Sequence, residues 1–196
     1  QKESNALWSN IRKNVSDKDL PQSIMLCSAS HGEGCSTITT GLGMFASRHS
    51  NKKVAIVDTQ MESLYLADFL SEHYPELSLE EEGNFQNIGF RGYTLTNRNL
   101  FFIQIVNPEH FDRSEEFDSS FETFMTFLKS NYDFIFFDSA PVLSSPIANI
   151  LAEKLDRIVF VVSAERLNQR KLVSAINSIS CEKEKLLGVV MNKRRN

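Results

Sequence analysis

The chain has 196 residues, of which 41% are hydrophobic and 23% charged, and its formal net charge is −4. This composition is typical of a folded domain with an apolar core and excludes wholesale disorder. The negative charge argues against duplex nucleic acid as a partner, because a duplex needs a basic face. The apolar runs are far shorter than the roughly 20 residues of a membrane span, so we predict neither a transmembrane helix nor a signal peptide.

The cysteines and the first residue indicate the compartment and the extent of the chain. Cys27, Cys35 and Cys181 are too few and too widely spaced for a disulfide framework or a zinc site, which favours a reducing compartment. The chain begins at Gln1 rather than Met, so we expect it to be a fragment of a longer protein.

Strand-like and helix-like segments alternate along the sequence. Residues 1–20 predict a polar helical arm that ends near Pro21, and residues 21–196 predict the main domain. Apolar strands joined by helical crossovers indicate an α/β fold, a doubly wound and mostly parallel sheet with helices on both faces. Strands are predicted at 23–28, 53–58, 100–106, 132–138, 157–163 and 186–192, and helices at 36–47, 114–131, 147–154 and 167–180.

Two local features complete this outline. Residues 72–99 are polar and acidic, and they predict an irregular excursion that carries at most one short helix. Asp112 or Ser114 is expected to cap the helix at 114–131, because short polar side chains accept hydrogen bonds from the first free N–H groups of a helix.

A glycine-rich loop lies between the first predicted strand and the helix that follows it. Residues 28–37 read Ser-Ala-Ser-His-Gly-Glu-Gly-Cys-Ser-Thr. The N–H groups of such a loop converge on one point and the helix N-terminus adds positive potential, which predicts a phosphate cradle. The usual signature ends Gly-Lys-Ser/Thr, in which Lys reaches the outer phosphates and the hydroxyl binds Mg²⁺. Here Cys35 replaces Lys, so an ordinary strand–helix turn stays open as an alternative.

Two acids are predicted to join this loop. Asp58 and Asp138 end the second and fourth predicted strands. Ligands of open parallel sheets bind beyond the carboxyl ends of the strands, and an acid after an apolar strand is typical of a Mg²⁺-water ligand. We therefore expect the loop and both acids to meet at one edge of the sheet, although a hydrogen-bonding role is an equal alternative for each acid.

The motifs resemble those of the bacterial tyrosine autokinases of capsule and exopolysaccharide assembly, within the MinD/ParA group of P-loop ATPases. The resemblance covers nearly the whole chain and implies a P-loop NTPase-like fold at the cytoplasmic face of the inner membrane. The family's loop motif T-S-x-x-P-G-E-G-K-S-T corresponds to CSASHGEGCST at 27–37, and its second motif I-D-x-D-x-R corresponds to VDTQME at 57–62. Its third motif Y-D-x-[IV]-[IV]-[IV]-D-T-P-P corresponds to YDFIFFDSAP at 132–141, and its last strand G-V-V-L-N corresponds to GVVMN at 188–192.

The resemblance implies a degenerate nucleotide site. Its metal-binding remnants are Ser36, Asp58 and Asp138. Its nucleotide-binding residues are Gly32, Glu33, Gly34, Cys35, Ser36, Thr37 and Asn192, the last because its family counterpart lies near the adenine.

The departures from the family pattern fall on residues that the family uses to bind the nucleotide and the metal. Cys35 replaces the phosphate-binding Lys, Gln60 replaces the second acid, and Glu62 replaces an Arg. A lost charge-assisted hydrogen bond of about 1.5–3 kcal/mol weakens ATP binding roughly 10- to 100-fold. The loss in phosphoryl transfer should be larger, because charge builds up on the transferred group. We interpret Cys35 as a small residue filling the Lys position rather than as a reactive thiol.

The family's assembly and substrate features are also reduced. The ring-forming Glu and first Arg of the helical arm are Ala6 and Ser9 here, which leaves Arg12. Ring assembly is therefore not expected, and a homo-oligomer would be weak. We expect the tyrosine-rich tail that the family phosphorylates to be absent here, since the last of the four tyrosines is Tyr132.

These losses predict a non-enzymatic interaction module without catalytic residues and without a high-affinity cofactor. It would dock on a membrane polysaccharide co-polymerase or on a related kinase. The main alternative is a switch that binds ATP or ADP weakly, with Mg²⁺. An active tyrosine autokinase would have to borrow Lys52 or Lys53, yet Lys53 begins its strand at the end away from the cradle. A ParA-type partition ATPase needs the same missing Lys.

Overall fold

The computed structural model describes residues 2–60, 72, 77–85, 87–95, 99–106, 114–165, 168–179 and 182–192. The α-helices in these ranges are α1 (Lys2–Asn14), α2 (Cys35–His49), α3 (Glu115–Asn131), α4 (Pro146–Lys154) and α5 (Gln169–Ser178). The strands are β1 (Gln22–Ser28), β2 (Val54–Asp58), β3 (Leu77–Phe85), β4 (Ile88–Leu95), β5 (Leu100–Ile105), β6 (Phe134–Asp138), β7 (Arg157–Ser163) and β8 (Leu186–Asn192). No helix within these ranges has the length and apolar character to span a membrane.

The eight described strands form one sheet in the order β3-β4-β5-β2-β6-β1-β7-β8. From β5 to β8 every neighbouring pair is parallel, and β4 runs antiparallel to both β3 and β5. The mostly parallel α/β sheet predicted from the sequence is confirmed.

Helices cover both faces of the sheet, which explains the continuous apolar strands. Successive residues of β1 point to opposite sides, so Ile24 joins a core with α1 and α2, while Met25 joins a core with α3, α4 and α5. Because both faces are buried, the central strands are apolar along nearly their whole length rather than at every second position.

The prediction of an irregular excursion at 72–99 is wrong over residues 77–85 and 88–95. There β3 and β4 form an antiparallel hairpin that extends the sheet beyond β5. The sequence pattern for strand β3 is weak because β3 is an edge strand with acidic residues and an irregular register between Leu79 and Glu81. In β4, Ile88 and Phe90 are buried. The short helix considered for this stretch has no assigned position in the sequence, and residues 73–76, 86 and 96–98 lie outside the described ranges.

The structure tests the predicted helix cap and the predicted helical arm. Ser114 caps α3 by accepting a hydrogen bond from the backbone N–H of Phe117 at 3.1 Å, while Asp112 lies outside the described residues. The helical arm buries Trp8 and Ile11 of α1, and Val15 just after it, in the core that it shares with α2. The arm therefore packs on the sheet rather than projecting from it.

Candidate functional site

The glycine-rich loop joins the carboxyl end of β1 to the N-terminus of α2. Gly32 and Gly34 have φ angles of +77° and +89°, in the left-handed region that favours glycine. The buried Glu33 carboxylate accepts hydrogen bonds from the backbone N–H groups of Ala29 at 2.9 Å and Ser30 at 3.0 Å. These contacts hold the loop in a turn that opens directly into α2.

A cavity of about 410 Å³ lies over the loop and the first turn of α2. Among the residues that the structure describes, its lining contains neither lysine nor arginine. The lining residues are Ser28, His31, Gly32, Glu33, Gly34, Cys35, Ser36, Thr37, Gln60, Ser139 and Pro141. The free N–H groups at the start of α2 thus give the cavity its positive potential without a cationic side chain.

Cys35 occupies the first position of α2 and is buried. Burial is the main cause that raises the pKa of its thiol well above the usual value, and the nearby charge of Asp138 raises it further. The thiol lies beside the Asp138 carboxyl group and interacts with it. It is therefore a neutral packing group and not a nucleophile at physiological pH.

Asp58 and Asp138 end the adjacent strands β2 and β6 and pair directly in the sheet register. Burial raises the pKa of Asp138 to about 6, against the opposing effect of hydrogen bonds from Ser36, Cys35, Gln60 and Thr39. Burial also raises the pKa of Asp58 to about 7, and the charge of Asp138 adds to this effect. Both acids lie at the expected edge of the sheet, in an environment that disfavours their charged forms.

Gln60 connects the retained polar residues of the site. Its side-chain nitrogen Nε2 donates to Asp138 Oδ2 at 2.9 Å and to Ser36 Oγ at 3.1 Å. Its backbone N–H donates to Asp58 Oδ1 at 2.9 Å. Sequence reasoning identified Gln60 only as a missing acid, because a bridging contact cannot be inferred from residue type alone.

Thr39 is a site residue that sequence reasoning missed. It lies one helical turn after Cys35, on the same face of α2, with its Oγ1 3.5 Å from Asp138 Oδ1. That hydroxyl also donates to the Cys35 carbonyl at 2.9 Å. The spacing of four residues between Cys35 and Thr39 is the signal that could have found it.

Asn192 ends β8 and lies against the loop. Its Nδ2 donates to the Glu33 carbonyl at 3.0 Å, and a Cβ atom at Gly34 would overlap its side-chain amide. Gly34 is thus required both by its φ angle and by this close approach. The structure brings the predicted residue Asn192 to the cradle.

The two lysines considered as substitutes lie elsewhere. The Lys53 backbone bonds to Asp133 before β2 begins, at the edge of the sheet opposite the cradle. Lys52 Nζ lies 3.6 Å from Asp17 Oδ1 on that same side. Neither lysine is among the residues that line the cavity. Glu62 lies outside the described residues.

Comparison with known proteins finds similarity to bacterial tyrosine kinases. No protein-family model matches it. It is 24% identical over 206 residues to tyrosine-protein kinase YwqD of Bacillus subtilis (strain 168), covering 96% of this chain and 80% of YwqD. It is 26% identical over 194 residues to tyrosine-protein kinase CpsD of Streptococcus pneumoniae, covering 96% of this chain and 82% of CpsD. The chain is a relative of bacterial tyrosine kinases.

Solved structures of such kinases share the fold. The kinase domain of VpsO has a TM-score of 0.73 at 17% identity and covers 98% of this chain and 93% of its own. A plasmid partition protein from Borrelia burgdorferi has a TM-score of 0.62 at 20% identity, covering 89% of this chain and 81% of its own. The expected P-loop fold of the MinD/ParA type is confirmed.

The fold implies a magnesium–nucleotide complex, and the side chains fit it poorly. Ser36, Asp58 and Asp138 supply the oxygen donors that Mg²⁺ prefers. However, the Gln60 amide nitrogen lies between the Ser36 hydroxyl and the Asp138 carboxylate, bonded to both. In this arrangement an amide group takes the space in which these oxygens would meet a cation.

Proposed function

We propose that this chain is a catalytically degenerate tyrosine-kinase-like domain that acts as a non-enzymatic interaction module in bacterial exopolysaccharide or capsule assembly. The observation that carries the proposal is the buried neutral thiol of Cys35 beside Asp138, in a cavity whose described lining residues include no lysine or arginine. The kinship with tyrosine kinases supports the pathway class, and the side chains of the site support the loss of chemistry.

Electrostatics supports the absence of phosphoryl transfer. A bound triphosphate would find the carboxyl groups of Glu33, Asp58 and Asp138 around the cradle, while the described residues that line the cavity offer no cationic side chain to the charge developing on a transferred phosphoryl group. Backbone N–H groups can orient phosphates, but they carry only partial charges. Binding without turnover is the most that such a site favours.

The helical arm supports an assembly role other than ring formation. The Arg12 guanidinium donates to Asp17 Oδ1 at 2.9 Å and lies over the Trp8 ring, 5.9 Å from its centroid. The one arginine that the arm retains is thus engaged within its own chain. We place the partner-binding faces on the arm and on the edge strand β8, where Val189 and Met191 are exposed. The partner would be a membrane polysaccharide co-polymerase or a related kinase at the cytoplasmic face of the inner membrane.

Transfer of labelled γ-phosphate tests the proposal. Purified chain is incubated with ATP and Mg²⁺, alone and with a tyrosine-rich peptide, beside the variant Asp138→Ala. We expect the same background incorporation from both proteins. Incorporation by the wild-type chain that Asp138→Ala abolishes would show an active kinase and refute the proposal.

A nucleotide-binding switch is a second candidate function. The cavity and the two left-handed glycines favour it, because they preserve the shape of a phosphate cradle. Thermal unfolding with and without ATP or ADP tests it, since ligand at 100 times its dissociation constant adds about 2.7 kcal/mol of stability. Absence of any shift at millimolar nucleotide would reject this candidate.

A further inference from the structure

We propose that the Gln60 side-chain amide replaces the divalent cation in this site, so that the cradle no longer binds Mg²⁺. The inference deepens the proposed function, because it names what closes the metal position. It concerns metal binding and can fail while the chain is still inactive as a kinase.

The geometry of the amide carries the inference. One nitrogen atom, Nε2, directs its two N–H groups at Ser36 Oγ and Asp138 Oδ2, at 3.1 and 2.9 Å. The backbone N–H of the same residue donates to Asp58 Oδ1 at 2.9 Å. Gln60 alone therefore satisfies an oxygen of each of the three remaining metal-type residues.

A cation and this amide cannot share the position. Mg²⁺ requires oxygen ligands at about 2.0–2.1 Å in an octahedral arrangement. The nitrogen lies within hydrogen-bonding distance of both the Ser36 and the Asp138 oxygens, so a cation that bound both would have to expel the amide. Expulsion would break two hydrogen bonds, one of them to a carboxyl group at the end of a buried strand.

Asp138 is also satisfied without a cation. Besides Gln60, it has contacts with the hydroxyl groups of Ser36 and Thr39 and the thiol of Cys35. All four partners are neutral groups. The substitutions of Cys35 for Lys and of Gln60 for an acid thus act together. Each removes a charged group, and the neutral groups that replace them interact with the same carboxyl group.

Binding of Mn²⁺, a spectroscopic substitute for Mg²⁺, tests the inference on the whole chain. The free Mn²⁺ signal in electron paramagnetic resonance reports the bound fraction for wild type and for Gln60→Asp, which exchanges the donor for a carboxylate. We expect Gln60→Asp to bind Mn²⁺ at least roughly tenfold more tightly than wild type, about 1.4 kcal/mol. The gain should disappear in the double variant Gln60→Asp/Asp138→Ala.

Two results would overturn the inference. One is wild-type binding of Mn²⁺ as tight as that of Gln60→Asp, and the other is a gain that persists when Asp138 is removed.

A second variant keeps the test decisive if Gln60→Asp fails to fold. Gln60→Ala removes the amide and adds no charge, so Mg²⁺ should raise its melting temperature while leaving that of wild type unchanged. An equal shift for both proteins would contradict the inference. Neither experiment measures phosphate transfer, which the labelled γ-phosphate assay tests separately. A wild-type chain that binds Mn²⁺ but shows no transfer in that assay would refute this inference and leave the proposed function standing.

Discussion

At the scale of single residues, the site holds two buried acids at positions where a P-loop site binds a metal ion. Asp58 and Asp138 are buried and lie side by side at the ends of β2 and β6. The lysine that would lie nearby in a P-loop is Cys35, whose thiol is neutral. The folded state therefore bears the free-energy cost of burying negative charge, which a metal or a lysine would otherwise offset.

The first prediction concerns the pH dependence of stability. Burial raises the pKa of Asp58 from 3.8 to about 7, so the folded state holds the proton more tightly than the unfolded state. The stability that protonated Asp58 contributes to the folded state is fully present below about pH 4 and is lost as the pH rises through about 7. We expect Asp58→Asn to be more stable than wild type at about pH 8, by about 1–3 kcal/mol in urea unfolding, and to lose this advantage near pH 4.

Asp156→Asn is the matched control of opposite sign. Burial alone would raise the pKa of Asp156, but hydrogen bonds from Ser23 and the ion pair with Lys129 hold it below the usual value. This substitution should therefore destabilise the protein at neutral pH, and the loss should shrink in acid as the wild-type carboxylate is protonated. If Asp58→Asn behaved in the same way as Asp156→Asn, the buried acids would not carry the cost assigned to them.

At the scale of elements, the hairpin β3–β4 shows how packing can override a polar sequence. Phe90 of β4 stacks on Phe85 of β3, with ring centroids 5.4 Å apart, and lies 6.1 Å from Phe124 of α3. This aromatic cluster anchors the hairpin to the face covered by α3. The acidic residues of β3 lie at the outer edge of the sheet, where charge discourages pairing with another chain.

The second prediction tests that anchor. Phe90→Ala removes a buried ring from this cluster and should lower the free energy of unfolding by about 3–5 kcal/mol. Leu79→Ala on the neighbouring strand β3 is the control, because Leu79 is 53% exposed. Urea unfolding monitored by circular dichroism measures both variants. Equal, small losses would mean that the hairpin does not depend on the Phe90 contacts.

At the scale of the whole molecule, the arm and the sheet share one core. Trp8 of α1 contacts Phe134 of β6 edge to face, with ring centroids 5.0 Å apart, and Ile11 and Val15 join the same buried cluster. The helix α1 thus packs against the central strand β6 through apolar contacts. Residues at the start of the chain and in its middle depend on each other for burial.

The third prediction uses the single tryptophan as a reporter. Trp8 is the only tryptophan of the chain, so its fluorescence reports the arm while circular dichroism at 222 nm reports all helices. We expect the two urea transitions to coincide, because an arm that shares the core cannot leave before the rest unfolds. A fluorescence transition at clearly lower urea would show that residues 1–20 unfold as a separate unit.

The sequence by itself determined the parallel core and the cradle. Continuous apolar strands arise wherever both faces are covered, and the loop glycines and strand-ending acids occupy positions set by chain connectivity alone. Only the tertiary structure decided the bridge made by Gln60, the contacts of Thr39 and the place of the hairpin. The bridge joins side chains 24 and 78 positions apart in the sequence, and the edge position of β3 follows from its neighbours in the sheet. Such contacts depend on how distant segments meet in space, and no local pattern of residues records that.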